Sequence, residues 1–166
     1  MLKHRLKSNS GWWRIEPDGT LRVYLNGSER LPDWVRNFQT CRRKVRGVRV
    51  NRVDRREALA TIRELRGEID RAERVIVGGH SRGASEASIM AWELGCEAVL
   101  FAPKRTGCKR FVESVDYIGF RHRGDFVPFL PPWNAGFKVQ VFGPWRPVWI
   151  AHEPREYQKR MEQYGF

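Results

Sequence analysis

Cysteine is scarce in this chain. Cys41, Cys96 and Cys108 are an odd set without metal-ligand spacing. They fit a reducing compartment better than a disulfide framework. No apolar run approaches the length of a membrane span. The basic start, Met1-Leu2-Lys3-His4-Arg5-Leu6-Lys7, is not followed by the apolar stretch of a secretory signal. A cytoplasmic location is therefore expected. Acidic residues are few as well, 19 against 31 basic ones, for a net charge of +12. Arginine greatly outnumbers lysine, and the basic residues gather at Arg42 to Arg52 and again at Lys104 to Arg110. Such clusters make either a solvated basic face or an attachment surface for nucleic acid or anionic membrane.

What is present is a periodic apolar pattern over 166 residues, enough for one domain spanning 1–166 with its own core. Trp12 to Ile15 and Leu21 to Leu25 flank the turn signal Glu16-Pro17-Asp18-Gly19 and predict a β-hairpin. A short helix is expected from Asp33 to Phe38. Asp54 to Arg71 predicts one long amphipathic helix, with Ala58, Ile62, Leu65 and Ile69 on its apolar face. Strands follow at Val75 to Val77, Glu97 to Phe101, Val115 to Phe120 and Phe137 to Phe142. Helices are expected at Gly83 to Leu94 and at Glu153 to Tyr164, the last with Tyr157, Met161 and Tyr164 facing inward. Alternating strands and helices predict an α/β fold with a central, mostly parallel sheet flanked by helices.

The most informative segment is Val75 to Ala84, a β-branched run ending in Gly-His-Ser-Arg-Gly. G-x-S-x-G between a strand and a helix is a nucleophile elbow. It exposes the serine hydroxyl above a sheet and points the next backbone N–H at a developing oxyanion. Ser81 is the candidate nucleophile. Reactive groups gather beyond the carboxyl ends of parallel strands, so an acid and then a histidine should follow at later strand ends. Four histidines exist. His4 lies in a basic tail, and His80, adjacent to the serine, is placed to pack rather than to act as base. His152, after the apolar segment Pro147 to Ala151, is the favoured base, with His122 as competitor. Asp125, in Arg-Gly-Asp-Phe-Val-Pro, is the favoured acid over Asp116, which falls inside a strand. The oxyanion donors are the N–H of Arg82 and the Asn26-Gly27-Ser28 turn after an early strand, chiefly Ser28. Phe126, Phe129 and Trp133 either line an acyl pocket or belong to the core.

Several blocks, in order, resemble the class 3 (fungal-type triacylglycerol) lipases and their small bacterial and phage relatives. Residues 25 to 38, Leu-Asn-Gly-Ser-Glu-Arg-Leu-Pro-Asp-Trp-Val-Arg-Asn-Phe, are similar to that family's strand, oxyanion turn and Asp-Trp helix start. Residues 79 to 84 match its elbow, and residues 100 to 107 look like its Phe-Gly-x-Pro-Arg-x-Gly segment. Residues 124 to 132, Gly-Asp-Phe-Val-Pro-Phe-Leu-Pro-Pro, resemble its aspartate motif, and His152 with Tyr157 downstream resembles its terminal histidine segment.

The resemblance implies a minimal α/β-hydrolase fold and a serine ester hydrolase acting on an ester or lipid without metal or organic cofactor. It also implies Ser81 as nucleophile, Asp125 as acid, His152 as base, and Ser28 with Arg82 as oxyanion donors. The chain departs from the pattern in four places. Asn26 stands for the usual arginine of the oxyanion turn, Arg82 for an apolar residue, and Ala84 for a second glycine. A basic stretch between Phe38 and Asp54 occupies the lid position, which weighs against triacylglycerol specificity and interfacial activation. The competing expectation is a non-catalytic basic module on a hydrolase scaffold, attached to nucleic acid or anionic membrane through Arg42 to Arg52.

Overall fold

The computed structural model describes residues 2–8, 10–27 and 42–166, with the main chain alone at residue 42. The expected helix from Asp33 to Phe38, the oxyanion candidate Ser28, and Cys41 lie outside the described residues. Among the described residues seven strands form one sheet: β1 (His4–Arg5), β2 (Gly11–Ile15), β3 (Thr20–Leu25), β6 (Arg74–His80), β7 (Glu97–Phe101), β8 (Tyr117–His122) and β9 (Gln140–Phe142). Their spatial order is β1-β2-β3-β6-β7-β8-β9. The first three run antiparallel, and β3 onward is parallel throughout. The N-terminal hairpin is therefore an antiparallel extension of a parallel sheet.

Parallel strands need crossovers, and these cover both faces of the sheet. Helices α1 (Arg52–Glu64), α2 (Arg66–Arg71), α3 (Arg82–Leu94) and α4 (Lys109–Glu113) are followed by α5 (Val148–Ala151) and α6 (Pro154–Gln163). On one face Leu21, Val23, Leu25, Val77, Ala98 and Leu100 pack against residues of α1, α3 and α4. On the other, Tyr24, Ile76, Val99, Phe101 and Phe120 meet Tyr157 of α6. Alternate residues of a strand point to opposite faces, so one strand serves both layers. Every residue of α3 from Gly83 to Met90 is buried, and the repeated Ala and Ser let it lie close to the sheet.

Several observed bounds differ from those expected, the strand at Val75 to Val77 running over Arg74–His80 among them. The long helix begins at Arg52, because Asn51 Oδ1 accepts from Val53 N and Asp54 N and caps it there. It breaks at Leu65 (φ −96°, ψ 13°), just before Gly67, although Leu65 N still donates to Thr61 O. The strand expected from Val115 starts at Tyr117, and only Gln140–Phe142 of the Phe137 to Phe142 run pairs as strand. Phe137 instead packs edge-on against the Tyr117 ring, and Lys138 N donates to Tyr117 Oη rather than to the ladder.

The basic stretch is an ordered hairpin, β4 (Arg42–Val45) with β5 (Val48–Asn51). Arg46 and Gly47 both take positive φ at its turn, as a two-residue hairpin loop requires. Val48 and Val50 are buried while Arg49 is exposed. Asn51 N donates to Thr106 O, joining the hairpin to the loop after β7. In that loop Lys104 is buried, with its ammonium 2.9 Å from Asp54 Oδ2, and Thr106 Oγ1 donates to the same oxygen. Arg105 donates to the carbonyls of Pro132 and Asn134. Part of the second basic cluster is thus internal structure rather than a surface.

Candidate active site

Ser81 follows β6 and precedes α3 in a conformation that L-residues rarely adopt, φ 57° and ψ −118°. The surroundings impose it. Ser81 N donates to Phe101 O at 2.9 Å, tying the turn to the end of β7. A Cβ on Gly83 would stand 2.1 Å from Leu25 O, and one on Gly79 would stand 2.5 Å from the Gly83 carbonyl. Both flanking glycines are therefore sterically required, which is the physical content of the G-x-S-x-G pattern.

Asp125 follows β8 and is completely buried. Gly124 before it (φ 93°) lies under the loop before α5, where a Cβ would stand 1.9 Å from Arg146 O. The Arg121 guanidinium donates to the Asp125 carbonyl, and Val127 N donates to Oδ1, opening a 3₁₀ turn over Val127–Phe129. His152 terminates α5, its N–H bonded to Val148 O. Its Nδ1 lies 2.8 Å from Asp125 Oδ2, and its Nε2 lies 2.8 Å from Ser81 Oγ. Ser81, His152 and Asp125 are thus brought into one hydrogen-bonded series from three separate strand and helix ends.

His122 is elsewhere. Its ring is buried at the end of β8, with Nδ1 2.9 Å from Arg123 O and Nε2 3.6 Å from Glu156. Asp116 is exposed ahead of β8, on the far side of the sheet from the strand ends that carry the site. Arg82 opens α3, so its N–H is among the four that a helix leaves without an intrahelical partner. Its side chain turns away along the helix, and Nε donates to the wholly buried Glu86 at 2.7 Å. The Arg82 cation is therefore held in an ion pair. Gly27 reaches the elbow closely, since a Cβ there would stand 3.1 Å from Ser81 Cβ and 3.0 Å from His80 O. Phe126, Phe129 and Trp133 are about half exposed and do not belong to the core, where Val127 and Pro128 fill the space beneath that loop.

Tyr157, expected on the inward face of the last helix and in the terminal histidine segment, is given no part in the site by the sequence. It is fully buried, and its hydroxyl donates to Asp125 Oδ2 at 2.5 Å while accepting from His122 N. Burial first, and then the Asp125 carboxylate, push its ionisation far above the ordinary phenol value, so it remains a donor. The signal was its position five residues after His152, on the inward face of α6. His80 is also buried, and burial, followed by the nearby His152, holds its pKa well below the ordinary 6.5.

A neutral, buried His80 makes stability depend on pH. Its folded-state pKa is depressed, so below pH 6.5 the unfolded chain takes up a proton that the folded chain refuses. This contribution is fully present above pH 6.5 and is lost as the pH falls below it, by at most about 1.4 kcal/mol per pH unit. Urea unfolding of the wild type and His80→Phe on both sides of pH 6.5 checks this. The stability difference between the two should shift in favour of His80→Phe on acidification.

No protein-family model matches the sequence, and no curated protein matches it. Solved structures do match. The fold is similar to that of Rhizomucor miehei triacylglyceride lipase, with TM-score 0.63 and 16% identity over 85% of this chain and 65% of that one. This is an α/β-hydrolase-like fold. It is similar also to a triacylglycerol lipase from Penicillium expansum (TM-score 0.62, 15% identity, 92% of this chain and 71% of that one). Lipase II from Rhizopus niveus matches at TM-score 0.59 and 16% identity, over 79% and 60% of the two chains. The chain spans less than two thirds of the length of the Rhizomucor and Rhizopus proteins.

Proposed function

We propose that this chain is a serine ester hydrolase working through an acyl-enzyme. The observation that carries the reading is the unbroken series from Ser81 Oγ through His152 to Asp125, with Ser81 on a strained elbow. With Nδ1–H directed at Asp125, His152 Nε2 accepts from Ser81 Oγ and takes its proton as Oγ attacks the ester carbonyl. Asp125 stabilises the imidazolium that forms, and Tyr157 and Val127 N fix the carboxylate by occupying its other lone pairs. The proton on Nε2 then passes to the departing alkoxide. Water, activated by the same histidine, releases the acid. The N–H of Arg82 is assigned to the oxyanion, with Ser28 as the second donor. The chemistry of these residues requires no metal or organic cofactor.

Exposed Phe126, Phe129 and Trp133 beside Asp125 suit an apolar acyl chain. A fluorophosphonate probe run beside a panel of p-nitrophenyl esters and phospholipids tests the proposal. Covalent labelling at Ser81 is expected, and its absence leaves the basic binding module as the standing alternative.

The described part of the basic segment is a packed hairpin with exposed Arg43, Lys44 and Arg49, not an apolar flap. Covering an apolar groove with it would bury cations, which is costly. Hydrolysis of short soluble esters is therefore expected without a lipid interface. Attachment to anionic vesicles through Arg42 to Arg52 should weaken with salt, since exposed charges are screened within about 10 Å at 0.1 M. Rates measured through the substrate's solubility limit, with vesicle binding at two salt levels, check both. A sharp activity jump at the limit, or salt-independent binding, contradicts them.

A further inference from the structure

Aromatic side chains left in water are concentrated at one end of the molecule. Among the described residues, every exposed tryptophan and phenylalanine lies in the two loops that leave the carboxyl ends of β8 and β9. Phe126, Phe129 and Trp133 follow β8, and Trp145 and Trp149 follow β9. The last two are the most exposed of the five, at 70% and 73%. Single apolar side chains on a surface are ordinary, but a cluster marks an interface. The two loops are tied together beside the elbow. Arg146 N donates to Arg123 O, and His152, at the end of the second loop, meets Asp125 in the first.

Charge on this face is one-sided. From Arg121 to His152 the only acidic residue is Asp125, which is buried, whereas Arg123 and Arg146 are exposed. The acids that follow are Glu153 and Glu156, and Arg146 reaches the second at 3.3 Å. The basic hairpin is joined to the same loops. Gly107, after β7, bridges to Val50 of β5 on one side and to Ala135, beside Trp133, on the other. Exposed Arg43, Lys44 and Arg49 therefore belong to an element continuous with the aromatic cluster.

We propose that this face docks on an anionic phospholipid bilayer, with Trp145 and Trp149 entering the headgroup layer while the cations meet lipid phosphates. Indole suits that layer because its ring is apolar and its N–H is polar, and cations beside it are drawn to anionic headgroups. The proposal rests on the serine-hydrolase reading for its substrate, since docking brings an ester of a bilayer lipid to the end of the sheet that carries Ser81. It concerns location and not activation, so short soluble esters are hydrolysed without it. It also differs from attachment by the hairpin alone, because inserted rings add an apolar contribution to the Coulombic one.

The experiment measures binding of the whole chain to vesicles of diether phosphatidylglycerol, which carry anionic headgroups and no ester, by co-sedimentation at about 0.1 M salt. Diether phosphatidylcholine vesicles are the neutral comparison. The wild type should bind the anionic vesicles with a blue shift of its tryptophan emission, and the neutral ones at least about 10-fold more weakly. Trp145→Lys/Trp149→Lys loses two rings and gains two cations, so insertion and pure charge attraction predict opposite signs. Insertion predicts binding to phosphatidylglycerol weaker on the order of 100-fold, roughly 10-fold per ring, with the blue shift lost. Equal or tighter binding by that variant overturns the proposal, and so does equal binding of the wild type to both vesicle types. Should the double variant fail to fold by circular dichroism, Trp145→Lys, which lies outside α5, decides alone by a loss of roughly 10-fold. Self-association of the wild type in sedimentation velocity, abolished in the variant, also overturns it, because the face then belongs to a second copy of this chain. The two readings fail separately. Fluorophosphonate labelling without vesicle binding removes only the docking surface, and vesicle binding without labelling or ester turnover removes the hydrolase reading and leaves the docking.

Discussion

Ser81→Ala is expected to abolish ester hydrolysis and fluorophosphonate labelling while leaving the fold intact. The loss should be on the order of 10⁴-fold or more, as for members of such catalytic units. The fold survives because the elbow is held by its surroundings. Ser81 N still donates to Phe101 O, Gly79 and Gly83 still fit against their neighbours, and Ala needs no more room than Ser. Among the described residues, the hydrogen bond removed is the hydroxyl's bond to His152 Nε2. The unfavourable φ of 57° remains for Ala as it was for Ser, so the strain is not relieved. Steady-state turnover, intact-mass detection of the adduct and circular dichroism are the measurements. Undiminished turnover in well-folded Ser81→Ala would remove the nucleophile assignment.

Much of this arrangement could be read from the chain, and the parts that could not share a cause. The strand Glu97–Phe101 lies where its apolar run ends on both sides, and the N-terminal hairpin forms around Glu16 to Gly19. The order of Ser81, Asp125 and His152 reflects strand ends that the parallel sheet brings to one side. By contrast, Val139 and Phe137 look like strand residues by alternation alone. Whether they pair depends on Tyr117, whose ring and hydroxyl claim that segment from another strand. The same holds for Tyr157 and His80. Periodicity identifies Tyr157 as inward, but only the approach of α6 to β8 puts its hydroxyl on Asp125. Adjacency to Ser81 makes His80 conspicuous, but only the fold sets its ring against His152. Contacts between elements distant in sequence leave no periodic trace.

His152→Ala is expected to cost about as much as losing Ser81, because a serine hydroxyl without a base to take its proton is a poor nucleophile. Asp125→Asn should be somewhat milder. The amide can still accept from Val127 N, but it cannot stabilise the imidazolium, and its NH₂ favours the wrong tautomer of His152. It also sets an amide donor opposite the Tyr157 hydroxyl, which itself donates to Oδ2 in the wild type. His122→Ala supplies the contrast. Its ring bonds Arg123 O and faces Glu156, with no contact to Ser81 or Asp125, so the substitution should act on stability and leave turnover per folded molecule nearly unchanged. The main-chain N–H of residue 122, which donates to Tyr157 Oη, survives the exchange. Active-site titration with the fluorophosphonate gives the folded, competent fraction against which each kcat is scaled. If His122→Ala proves inactive on that scale and His152→Ala does not, the base has been misassigned although the elbow stands.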